Sequence, residues 1–131
     1  MTHSNRKKIV DEFFQLIMEG RPLDSLPFFS SECRQHNPYV SGGMDSLLNA
    51  MIEAQKTMKS DFDAILSVKS ILEDGDLIAA HTELYNSSSD LSRGGLRQIH
   101  LFRFDPQNKI IEYWDITQVL TPEMPNVANA F

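Results

Sequence analysis

Apolar residues recur at helical spacing through Ile9, Val10, Phe13, Phe14, Ile17 and Met18, with Ser4 or Asn5 placed to cap the run and Gly20 to stop it. The pattern predicts a helix over about residues 5–19. The stretch LDSLPFF reads as a short second helix that Pro27 interrupts, because proline lacks a donor and crowds the preceding turn. A further helical pattern puts Met44, Leu47, Leu48, Met51, Ile52 and Gln55 on one side. Between these two lies CRQHNP, a short extended piece whose proline holds Asn37 out of the helical region.

From residue 62 the period changes to two, with Phe62, Ala64, Leu66 and Val68 alternating against Asp63, Ile65, Ser67 and Lys69. Breaks at EDGD (73–76), NSSSDLSRGG (86–95) and DPQNK (105–109) divide the rest of the chain into strands near 77–85, 96–104 and 109–119, joined as hairpins. The tail from 120 to 131 carries two prolines and no period, which predicts an irregular arm whose terminal Phe131 is free to dock on the body or on a partner. Helices followed by a run of antiparallel strands is an α+β order. A curved sheet wrapped on the helices would leave a cavity between the two layers.

The 131 residues suit one domain with a single core. Twelve basic against eighteen acidic side chains give a net charge of −6, and the one basic cluster is Arg6-Lys7-Lys8 at a helix head. Nucleic-acid binding wants a broad basic face with interleaved aromatics, so no nucleic-acid partner is expected. The lone Cys33 excludes an internal disulfide and a cysteine-rich zinc site, and fits a reducing compartment. The polar start MTHSNRKK is followed by no long apolar stretch, so the reading expects no leader, no membrane span and a cytoplasmic protein.

Four polar points interrupt apolar runs: His36-Asn37 before Pro38, His81 in LIAAHTELY, His100 in QIHLFRF, and Asp115 in EYWDITQ. On the last strand a period of two puts Ile111, Tyr113, Asp115 and Thr117 on one face and Ile110, Glu112, Trp114, Ile116 and Gln118 on the other. His100, Phe102 and Phe104 share a face of strand 96–104. If both sets look into the cavity, His100, Tyr113 and Asp115 converge there. The face of strand 77–85 that carries His81 stays open.

An imidazole and a carboxylate in an apolar cavity suit proton transfer, since burial moves both groups toward neutral pH. The reaction class this suggests is proton abstraction beside a carbonyl. Each residue also has a plainer reading: His36 could satisfy backbone groups at a turn, His81 could be a hydrogen-bonded interior group, and Asp115 could bond Tyr113 or a histidine. Trp114, Phe102 and Phe104 could be packing residues, in the core or in a dimer interface. No HExxH or other tight ligand spacing occurs, so no metal is expected. No glycine-rich phosphate loop and no GxSxG elbow is present.

QHNP, AAHTEL, IHLFRFD and KIIEYWDITQ, in that order and followed by a Pro/Asn tail ending in Phe, together resemble the SnoaL-like polyketide cyclase group of the NTF2-like superfamily. The likeness runs over nearly the whole chain. It implies a cone of strongly curved antiparallel sheet closed by three helices around a deep pocket, in a homodimer packed through the sheet. It also implies a cofactor-free acid/base enzyme of cyclase, isomerase or lyase type acting on a small, mostly apolar carbonyl compound; the alternative is a module that binds a hydrophobic small molecule unchanged. Asp115 would be the acid/base, with His36 and His100 as catalytic neighbours. Asn37, Tyr39, His81, Phe102, Tyr113 and Trp114 would contact the ligand. In the similar ketosteroid isomerases, aspartates stand where this chain has His100 and Asn37, which argues against steroid isomerisation here.

Overall fold

This computed structural model describes residues 4–57, 64–86 and 95–129. Helix α1 runs Asn5–Met18, and its cap is Ser4, whose hydroxyl accepts the Lys7 amide at 3.1 Å. A 3-10 helix comes next, over Pro22–Phe28. Pro27 does not interrupt it: the missing donor falls in the last turn, and the buried Ser25 hydroxyl donates to the Pro22 carbonyl at 2.6 Å. Helix α2 spans Met44–Thr57.

The strands are β1 Phe29–Gln35, β2 Ala64–Asp74, β3 Leu77–Asn86, β4 Gly95–Phe104 and β5 Ile110–Leu120. Residues 62 and 63, where the alternation begins, lie outside the described residues, as does Phe131. The strands form one sheet in the order β1-β5-β4-β3-β2. Four of them pair antiparallel as expected, but β1 lies parallel to β5, so the sheet is mixed. The expected irregular arm also contains a short 3-10 helix, Val127–Asn129.

Alternation breaks where the β4–β5 ladder slips between Arg103 and Phe104, and the slip carries Ile110, not Ile111, fully into the core. One sheet face packs on α1. Phe13 is the hub, with edge-on contacts to Phe14 (5.2 Å), Phe102 (5.5 Å), Phe29 (5.7 Å) and Tyr113 (6.1 Å) between ring centres. The head of α1 is fixed by Arg6, which lies over the Phe104 ring and donates to Asn108 Oδ1 at 2.8 Å, the Asp105 carbonyl at 3.1 Å and the Gly75 carbonyl at 3.2 Å. The basic cluster of the sequence is therefore partly a staple across two hairpin turns. This packing closes one end of the layered body and leaves space at the other, between α1, α2 and the sheet.

Cys33 is buried in the core cluster, and burial, reinforced by the charge of Glu112, pushes its thiol up to about 12. A thiol reagent such as Ellman's should therefore leave the native protein nearly unmodified at neutral pH and react fully in denaturant. Rapid native labelling would show that Cys33 is accessible.

Candidate functional site

The space between the helices and the sheet is a cavity of about 480 Å³. Its walls are mostly apolar, with Ile17 from α1, Leu47 and Met51 from α2, and Leu66, Leu84 and Leu96 from the sheet. Its polar groups are Asn37, Gln98, His100, Asp115 and Thr117, with Gln55 at α2. The register explains this grouping: Ala80, His100 and Asp115 lie side by side across three strands, as do Thr82, Gln98 and Thr117. Paired positions share a face, so one inward-pointing residue fixes the rest.

The parallel β1–β5 register sets Gln35 beside Tyr113, which carries the next turn of chain alongside Asp115. Asn37 Nδ2 donates to Asp115 Oδ2 at 3.0 Å, while Asn37 Oδ1 accepts the Tyr39 amide at 2.8 Å. The second Asp115 oxygen, Oδ1, is buried with no hydrogen-bond partner. Gln35 holds the approach: its Oε1 accepts the Asn37 amide at 2.8 Å and its Nε2 donates to the carbonyls of Val40 (2.8 Å) and Gly42 (2.9 Å).

His100 is 4% exposed, and both ring nitrogens are engaged, Nδ1 with the Tyr113 hydroxyl at 2.7 Å and Nε2 with Thr82 Oγ1 at 3.0 Å. Burial drives its pKa down to about 3, so the ring is neutral across the physiological range. Burial, followed by the charge of Asp115, raises the Tyr113 hydroxyl well above its usual range, so it stays a neutral phenol. Thr82, His100 and Tyr113 thus form a closed, uncharged relay, with His100 in the cavity wall and the other two behind it.

The sequence expectations divide on this geometry. Asp115, His100 and Asn37 line the cavity. Tyr113 and Phe102 are fully buried one layer below it, Tyr113 reaching the site through His100. His36 is placed differently from the expectation: chain alternation turns it to the outer sheet face, where its ring stacks on Trp114 at 4.7 Å and Nε2 meets Glu112 Oε2 at 2.9 Å. Trp114 is accordingly an outer-face residue as well. His81 faces outward beside the buried Glu83, with Nε2 3.5 Å from Oε1. Tyr39 is 93% exposed in the loop after β1 and is not part of the cavity wall.

Gln98 and Thr117 were legible but missed. Each stands two residues from a chosen one, His100 and Asp115, and so shares its face. Among the described residues no group of three or more His, Cys, Asp or Glu side chains is arranged to hold a metal ion, and no helix is long and apolar enough to cross a membrane.

No family model and no curated protein matches the chain in sequence. Solved structures match it in shape. An NTF2-like protein of unknown function from Cytophaga hutchinsonii superposes with a TM-score of 0.64 at 11% identity, covering 89% of this chain and 93% of that one. The fold is NTF2-like. AclR of Streptomyces galilaeus, provisionally assigned as a hydroxylase, gives a TM-score of 0.68 at 17% identity over 89% of this chain and 91% of its own. SalBIII, an epoxide hydrolase/cyclase-like enzyme of pyran ring formation in the polyether salinomycin, gives 0.62 at 18% identity over 86% and 90%. The resemblance read from QHNP, AAHTEL, IHLFRFD and KIIEYWDITQ therefore holds for the fold, with a cavity in the expected place and a mixed sheet in place of an antiparallel one.

Proposed function

We propose that the protein is a cofactor-free acid/base enzyme that performs an aldol cyclisation, isomerisation or related elimination on a small, mostly apolar carbonyl compound. The observation that carries this reading is the unpartnered Oδ1 of Asp115 in the wall of an NTF2-like cavity. In this scheme the Asp115 carboxylate takes a proton from the carbon beside a carbonyl, and the electron pair moves onto the carbonyl oxygen as an enolate. Gln98 and Thr117, themselves bonded at 2.9 Å, offer the neutral donors for that oxygen. Asp115, now protonated, returns the proton to the product oxygen or carbon. Asn37 orients the carboxylate, and the His100 relay is a neutral support rather than the base. The cyclase-like enzyme SalBIII and AclR, which share the fold, agree with a small-molecule reaction.

Small molecules that co-purify with the native protein should be identified by mass spectrometry and returned to wild type and Asp115→Asn. A compound changed by wild type alone supports the enzyme. A compound recovered intact from both supports the second reading, a binding module for a hydrophobic small molecule, which the mostly apolar walls favour.

The same reading includes a homodimer. Leu72, Ile99 and Ile116 stand exposed on the outer sheet face, Ile116 at 61%, in a patch that water solvates poorly. Wild type should sediment at twice the chain mass and Ile116→Glu at the chain mass; a monomeric wild type ends the proposal.

A further inference from the structure

The charge and hydrogen-bonding character of the ligand are set by how the polar groups of the cavity are already spent, and this inference rests on the proposed site. Asn37 cannot be turned round without loss: its Oδ1 is held by the Tyr39 amide, so Nδ2 faces Asp115 and donates to Oδ2. That contact uses Asp115 as an acceptor and leaves Oδ1 buried and unpartnered. His100 offers the ligand neither a cation nor a free nitrogen, since Thr82 and Tyr113 take both. Among the described residues of the wall, Asp115 is the one formally charged side chain. Gln98 and Thr117 beside it are neutral.

A buried acceptor without a partner is costly, and a group that donates to it recovers that cost, whereas an anion adds repulsion in a weakly screened setting. We propose that the cavity selects non-anionic ligands that present a hydrogen-bond donor, a hydroxyl or a protonated amine, to Asp115 Oδ1, and that it rejects carboxylates and phosphates. The carbonyl compound of the proposed reaction would then be an alcohol-, enol- or amine-bearing one, free of acid groups.

Three ligands with one apolar body separate the possibilities: naphthylmethanol, naphthylmethylamine and naphthoate, each displacing the neutral dye Nile red from the full chain near neutral pH. The alcohol and the amine should displace it at concentrations at least about tenfold below naphthoate, roughly 1.4 kcal/mol of discrimination. In Asp115→Asn the gap to naphthoate should close to within about threefold, as expected when the repelling charge is removed. An amine ahead of the alcohol assigns the contact to an ion pair, equality to a neutral donor, and both uphold the proposal. Naphthoate binding as tightly as the alcohol to wild type, a gap unchanged in Asp115→Asn, or displacement by none of the three overturns it. The wild-type ranking decides even if the variant folds poorly. Failure of the enzyme reading is distinct, because co-purified compounds returned intact by wild type would remove turnover and leave the ranking of the three probes standing.

Discussion

On the proposed function, Asp115→Asn should lower turnover of the cognate compound by roughly 10²–10⁴-fold, the usual contribution of a positioned acid/base, while binding should change by no more than severalfold. The substitution keeps size and shape, and the new side-chain oxygen can still accept from Asn37 Nδ2, so the loop after β1 stays in place. What disappears is a group able to carry a proton between substrate positions. Nearby groups cannot replace it: the imidazole of His100 is neutral and doubly bonded, and His36 faces the other side of the sheet. The measurement is product formation by chromatography, with circular dichroism and dye binding as controls for fold and cavity. Turnover within a few-fold of wild type would remove Asp115 from the chemistry.

The second large effect concerns acid stability. His100 binds its proton only near pH 3 when folded but near 6.5 when unfolded, so the unfolded chain takes up the proton first as pH falls. The stabilising contribution is therefore present in full above pH 6.5, is lost progressively between 6.5 and 3, and levels off below. Urea unfolding at pH 7 and pH 5 should show wild type losing about 2 kcal/mol more than His100→Gln over that interval. Should the variant fold poorly, the His100 imidazole resonance of wild type decides, because it should show no titration midpoint between pH 8 and pH 4. A midpoint near 6.5 would mean that the ring is open to water and that the Thr82–His100–Tyr113 relay does not hold.

Local pattern carried much of the architecture. Ile9 to Met18 and Met44 to Gln55 marked α1 and α2 because a buried helix face repeats every three or four residues, and Gly75 sits at a positive φ in the EDGD turn that separates β2 from β3. Period two likewise set His100 with Phe102, and Tyr113 with Asp115, on common faces.

Which face turned inward was a matter for the sheet as a whole. Alternation within a strand leaves two choices, and only the neighbouring register removes one: pairing of Ala80, His100 and Asp115 sent His81 outward, a face the sequence left open. His36 and Asn37 show the same limit more sharply. Their order in QHNP is plain, yet the parallel alignment of β1 on β5 puts Asn37 against Asp115 and His36 against Trp114. The two long helices, the four antiparallel strands and their order were written in the order of the amino acids, since those depend on contacts a few residues apart. Only the assembled sheet determines which chemical groups meet, because a parallel pairing of segments nearly eighty residues apart leaves no local signal in either one.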